Sequence, residues 1–268
     1  MRGRCWKRPA SCLPLSAVNR GNLAMSNSSP LLWIGATGGS GTRALVAALA
    51  AAGVFPGREL NDSLDALPMV ALYDRHLAGY LAGAGFDRAV WRADLAVALA
   101  RHAAGISPDT PCLVKNPRAV FMPDLLLDAV PASRFLQVVR NGVAMAFSAN
   151  QRQLLLHGRA TLGSGFDGES LAAQSLRLWS AVNLRGHDAA RRYPGRCALV
   201  RYEDFCARPV QELARVGAEL GLALDPARLD SIGIAPSHRP LPGDWREQLG
   251  DALAAARPAL ATFGYHPC

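Results

Sequence analysis

Short, unbroken apolar blocks alternate along the chain with longer stretches of helical periodicity. Leu31 to Ile34 is an apolar run that ends in glycines, and the Ala/Leu-rich stretch from Thr42 to Ala52 follows it, which predicts a buried strand, a turn and a helix. Helical patterns recur from Leu67 to Ala82 and from Asp87 to Ala103, closed by Gly83 and Gly105. Cys112 to Lys115 and Arg134 to Arg140 read as further strands, each leading into a loop and a helix. Ser170 to Arg192 reads as a long amphipathic helix, Cys197 to Tyr202 as a strand, and Pro209 to Leu220 as a helix ended by Gly221. A Pro/Gly-rich loop and a terminal helix close the chain. Between these elements, Gly158 to Gly168 is glycine-rich and poor in large apolar residues, which predicts a mobile surface loop able to close over a site. Such alternation implies an α/β domain: a central, mostly parallel sheet with helices on both faces, binding ligands at the carboxyl ends of its strands.

The 268 residues suffice for one well-buried domain, expected over 31–268 behind a basic tail, 1–30. Half the residues are hydrophobic, yet no run approaches the roughly 20 apolar residues of a membrane helix, so a soluble protein without a membrane span is expected. Net charge is +8, but Arg2, Arg4, Lys7, Arg8 and Arg20 supply +5 of it from a tail that holds no acid, leaving +3 for the rest. That modest excess suits an anionic small ligand. It argues against nucleic acid, because no basic run with interleaved aromatics follows the tail. The tail also lacks the apolar core of a secretory signal, and Met25, just before the first strand, is a candidate start. Cys5, Cys12, Cys112, Cys197, Cys206 and Cys268 show neither paired CxxC nor Cys/His metal spacing; free thiols in a reducing, cytoplasmic compartment and no metal site are expected.

The loop from Gly35 to Gly41 carries the first candidate chemistry. Backbone amides at a helix N-terminus are unpaired donors at the positive end of the helix dipole, and glycines before Thr42 let an anion approach without Cβ obstruction. Gly35, Gly38 and Gly41 also match the GxxGxxG of short-chain dehydrogenase-like proteins, which would make this a nicotinamide dinucleotide site. Against that, such proteins place Tyr and Lys four residues apart, whereas Lys7 and Lys115 are the only lysines here and neither follows a Tyr at that spacing. Glu59, Asp62 and Asp65, near where a ribose-binding acid should close a second strand, sit in polar, loop-like sequence. A Walker loop, GxxxxGK[ST], is absent, since Thr42 and Arg43 follow Gly41. A plain turn without a ligand is the remaining reading.

A second element follows. Arg140 ends an apolar strand and Ser148 lies eight residues on, expected about two turns into the next helix. Arginine forks two donors onto a phosphate, and a serine hydroxyl can add a third. Here the chain resembles the sulfotransferase superfamily, whose 3′-phosphate element is a strand-end Arg followed by Ser at this separation. Ser40-Gly41-Thr42, Lys115-Asn116-Pro117-Arg118, Val200-Arg201-Tyr202-Glu203-Asp204 and Gly243-Asp244-Trp245-Arg246 recur in the family's order, so the resemblance covers about residues 31 to 265.

The resemblance implies a P-loop-like three-layer sandwich that binds 3′-phosphoadenosine 5′-phosphosulfate and passes its sulfuryl group to a hydroxyl or amine of a small-molecule, glycan or lipid acceptor. It implies that Gly38, Gly39, Ser40, Gly41, Thr42 and Arg43 cradle the 5′ end. Arg140 and Ser148 would hold the 3′-phosphate, Tyr202 would approach adenine, and Arg239 would lie in the loop that closes over the 3′-phosphate. For Tyr202 the alternative is a half-buried strand residue, and Glu203 and Asp204 read as loop ties. Trp179 reads as helix core. Family members generally carry Lys or Arg directly before Ser-Gly-Thr, where this chain has Gly39, so Lys115 or Arg43 is expected to supply the catalytic cation. Lys115 has an ordinary reading too, as a strand-end lysine paired with a surface acid. Ala44 stands where a Trp often covers adenine, and Pro117 where cytosolic relatives place a His base. The base is thus unassigned, with His76, His102 and His157 candidates by titration range alone. A dinucleotide reductase and a non-catalytic nucleotide-binding relative remain as alternatives.

Overall fold

The computed structural model describes residues 31–107, 109–225, 228 and 240–266. The basic tail, Met25, Cys5, Cys12, Cys268 and Arg239 lie outside the described residues. Four strands form one parallel sheet in the order β2-β1-β3-β4: β1 Leu31–Ala36, β2 Cys112–Lys115, β3 Arg134–Val139 and β4 Cys197–Arg201.

Successive strand residues face opposite sides of the sheet, and helices cover both faces. From β1, Leu31 and Trp33 enter one core, shared with α2 (Leu67–Ala82), α3 (Arg88–His102) and α4 (Pro123–Ala129). Leu32, Ile34 and Ala36 enter the other, shared with α1 (Thr42–Ala51) and α9 (Pro209–Leu220). Gly35 has to be glycine: a Cβ there would sit 2.7 Å from the Phe135 ring and from the main-chain nitrogen of Val120. The resulting three layers are the α/β P-loop-like sandwich.

The remaining helices are α5 (Gly142–Ala146), α6 (Arg152–Leu162), α7 (Leu171–Arg192), α8 (Tyr202–Ala207), α10 (Trp245–Leu249) and α11 (Asp251–Thr262). Caps mark the ends where the sequence has cap formers. Asp87 accepts from Ala89 and Val90, Ser170 accepts from Ala173, and Gly221 takes the left-handed conformation that ends α9. Among the described residues no helix is long and apolar enough to cross a membrane.

Three expectations need correction. The stretch from Gly158 to Gly168 is not one loop, because α6 continues through Gly158 to Leu162 and the irregular segment begins only at Gly163. Leu154, His157 and Gly158 form the buried face of that helix, and a helical glycine whose Cβ would press on Leu154 at 2.6 Å is a packing glycine, not a breaker. Ser148 is not two turns into a helix: α5 is a single turn ending at Ala146, and Ser148 lies in the turn after it. Tyr202 is no strand residue. It opens α8, 6% exposed.

The chain leaves β1 toward β2 on one side and returns to β3 on the other. The carboxyl ends of β1 and β3 are therefore the point where strand order reverses, the crevice that open α/β sheets use for ligands.

Candidate functional site

Both candidate elements emerge at that crevice. Beyond β1 the chain turns through Gly39 (φ 91°) and Gly41 (φ 77°), conformations side chains resist, and Gly41 caps α1. The turn is tied internally: Ser40 Oγ donates to the Thr37 carbonyl at 2.7 Å, and the Ser40 amide donates to the same oxygen at 3.3 Å. Gln153, from α6, clamps it from outside by donating from Nε2 to the Ala36 carbonyl and accepting the Gly38 amide at Oε1 (2.9 Å). The amides of Gly39, Gly41 and Thr42 have no hydrogen-bond partner among the described residues. They form a helix-start donor set of the kind that holds anions.

The second element closes on the first. Arg140 donates from Nη1 to the Gly39 carbonyl at 3.1 Å and lies 4.9 Å above the Tyr202 ring. Ser148 Oγ would be 3.0 Å from a Cβ on Gly39, and the Tyr202 ring would be only 2.0 Å from a Cβ on Gly41. Gly39, Gly41, Arg140, Ser148 and Tyr202, up to 163 positions apart in sequence (202 minus 39), thus form one contact set.

The supports of that set are less visible in sequence. Trp179, core as expected, also donates from Nε1 to the Arg140 carbonyl at 2.9 Å. Asn141 caps α5 by accepting the amides of Val143 and Ala144. Glu203 is the loop tie it was expected to be, accepting the Asn141 amide at 2.9 Å and the Tyr265 hydroxyl at 2.6 Å. Gln151 donates to the carbonyls of Met145, Ala146 and Ser148, fixing the turn that carries Ser148.

Lys115 sits at the carboxyl end of β2, 2% exposed. Its ammonium donates to the Ser63 carbonyl at 2.7 Å and pairs with Asp65 at 2.5 Å. Its partner is an acid, as the ordinary reading has it, but the lysine is buried and only Asp65 is partly exposed. Burial pulls the Lys115 pKa below the usual lysine value, Asp65 opposes that, and the nearby positive charge of Arg43 adds to it. Arg43 itself is exposed and has no ion pair among the described residues. Of the histidines, His76 pairs with Asp94 at 2.7 Å, His102 is fully buried against the Leu113 carbonyl, and His157 is buried against Phe121. Burial lowers the pKa of His102, and of His157 to about 4. None of the three lines the cleft beside the loop.

That cleft, about 280 Å³, runs from Gly38 over the segment that precedes α2 to the start of α6, with Asp65, Asn116, Asn150 and Arg152 among its walls. Asp65 is the carboxylate the sequence reading passed over. In sequence it is one of three acids in a polar loop, and only the pairing with Lys115 sets it apart.

The sequence from residue 34 to 226 matches the model of the sulfotransferase family. The chain belongs to that family. Solved sulfotransferases share the fold. One from Alicyclobacillus acidocaldarius is 19% identical with a TM-score of 0.51, over 87% of this chain and 93% of that one. The sulfotransferase domain of the Synechococcus PCC 7002 olefin synthase is 18% identical with a TM-score of 0.51, over 90% and 97%. STF9 of Mycobacterium avium, at 13% identity, has a TM-score of 0.57 over 89% and 76%. No protein of curated function matches the chain in sequence. Membership in this family replaces the dehydrogenase reading. The sheet concurs physically: β2 ends in Lys115, where a dinucleotide site would close a strand with a ribose-binding acid.

Proposed function

We propose that this sulfotransferase takes its sulfuryl group from 3′-phosphoadenosine 5′-phosphosulfate and passes it to a hydroxyl or amine of a small-molecule, glycan or lipid acceptor. One observation carries the reading: the strand-end Arg140 and Ser148 meet the glycine turn at Gly39 itself, so a single ligand can touch both junctions. In this reading the amides of Gly39, Gly41 and Thr42 hold the 5′-phosphosulfate. Arg140 and Ser148 hold the 3′-phosphate, Tyr202 faces the adenosine beside Arg140, and Arg239 closes over the 3′-phosphate. A single domain over 31–268 works in a reducing, cytoplasmic compartment, in keeping with free thiols at Cys112, Cys197 and Cys206.

The chemistry needs a cation on the transferring group, an in-line acceptor and a destination for the acceptor proton. In this reading Lys115 supplies the cation, with the positive charge of Arg43 nearby. Burial strengthens an ammonium's pull on sulfuryl oxygens and on the bridging oxygen that departs. Asp65 lines the cleft and is the proposed base: the acceptor oxygen or nitrogen bonds to sulfur, the sulfur–bridging oxygen bond breaks, adenosine 3′,5′-bisphosphate leaves, and the acceptor proton passes to the Asp65 carboxylate. The Lys115 ammonium stabilises the carboxylate before transfer and the departing phosphate during it.

Incubation with ³⁵S-labelled donor and cell-extract acceptors tests this reading. The wild type should yield a labelled product. Asp65→Asn should lower kcat by about 10²- to 10⁴-fold while donor affinity is kept. Donor binding without labelled product in any extract would instead favour a non-catalytic relative.

A further inference from the structure

The cleft beside the glycine turn is lined by four carboxamides, Asn61, Asn116, Asn150 and Gln153. All four have their oxygens engaged by main-chain N–H groups. Asn61 accepts from Ser63 and Asp65, Asn116 from Arg118, Asn150 from Arg152, and Gln153 from Gly38. Because a main-chain N–H can only donate, these bonds fix which end of each amide is oxygen. The NH₂ groups remain. Those of Asn61 and Gln153 donate to Asp65 and to the Ala36 carbonyl. Those of Asn116 and Asn150 have no partner among the described residues, although Asn116 is only 3% exposed.

The charged groups tell the same story. Lys115 is matched by Asp65, and Arg118 by Asp74. Arg152, on the cleft wall, makes no ion pair among the described residues. Apart from the exposed Ser63 hydroxyl and the Asp65 carboxylate, whose charge Lys115 balances, the unengaged side-chain groups of the cleft are therefore donors, with one unmatched positive charge. A neutral polyol brings hydroxyl protons that need acceptors. A carboxylate, phosphate ester or sulfate ester brings acceptors only, and charge-assisted bonds to arginine and amide donors are the stronger kind.

We propose that the acceptor carries an anionic group beside its reacting hydroxyl or amine, held by Arg152 and by the amide nitrogens of Asn116 and Asn150. This rests on the sulfuryl-transfer reading of the same site. Arg152 positions the acceptor; it takes no part in bond making.

Paired probes test it with the full chain and no donor present: glucuronate against glucose, glycerol 3-phosphate against glycerol, and 3-hydroxybutyrate against its methyl ester, with affinities from ligand-observed NMR. The pairs separate carboxylate from phosphate recognition. The anionic member of at least one pair should bind about tenfold tighter or more, and Arg152→Gln should remove that preference. Equal binding within every pair, or a preference that survives in Arg152→Gln, overturns the inference. Adenosine 3′,5′-bisphosphate titrated into the same samples separates the two readings. Its failure to bind the wild type counts against the donor assignment alone, whereas an equal weakening of bisphosphate and acid by Arg152→Gln moves the cation to the donor site and overturns the inference.

Discussion

The Arg140 guanidinium reaches across the sheet crevice to the main-chain oxygen of Gly39, 3.1 Å from Nη1, while Ser148 stands over the Gly39 Cα. The geometry disfavours a side chain at this position. A side chain on Gly39 would need φ 91°, and its Cβ would lie 3.0 Å from Ser148 Oγ. Gly39→Lys should therefore weaken binding of adenosine 3′,5′-bisphosphate by about tenfold or more instead of supplying a cation, because left-handed strain of about 1 to 3 kcal/mol falls on the proposed donor loop. Calorimetric titration of the variant checks this.

Gly41 and Tyr202 form the tighter pair. A Cβ on Gly41 would lie 2.0 Å from the Tyr202 ring, at φ 77°. Gly41→Ala should cost about 2 to 4 kcal/mol in urea unfolding, from strain and overpacking together. Steric overlap is pairwise, so the cost in a Tyr202→Ala background should be smaller by about 1 kcal/mol or more. Additive costs would show that the ring is not what excludes the methyl group.

Acid should loosen the fold through His157. Both its ring nitrogens are buried without a partner among the described residues, and burial, with Arg118 nearby, lowers its pKa from 6.5 to about 4. A depressed histidine stays neutral in the fold while the unfolded chain takes up a proton. Stability is then fully present above pH 6.5 and falls as pH drops toward 4. His102, lowered by burial too, acts in the same direction. His157→Leu should flatten part of the Tm profile between pH 4 and 6.5 and change little at pH 8.

Much of the fold was legible because its signals are local. Apolar runs bounded by turn residues located all four strands, and α2 and α9 match the helical periodicity residue for residue. Segment 158–168 misled because glycine content is read locally, whereas Gly158 lies on the buried face of α6 with Leu154 and His157. The candidate site was legible where a motif carried it, at Ser40-Gly41-Thr42 and at Arg140. It was illegible where support comes from afar. Gln153 clamps Gly38 from 115 residues away, and Trp179 and Glu203 fix the Arg140–Asn141 junction from two other elements. Asp65 was hidden because its significance depends on Lys115, 50 residues later (115 minus 65) on a neighbouring strand.

Calorimetric titration of adenosine 3′,5′-bisphosphate into the wild type and Arg140→Ala tests the central claim, that one doubly phosphorylated nucleotide spans both junctions. The wild type should bind one equivalent. The variant should lose about 1.5 to 3 kcal/mol, roughly 10- to 150-fold in Kd, with its unfolding midpoint little changed. Absent binding to the wild type, or an Arg140→Ala affinity equal to it, would contradict the account.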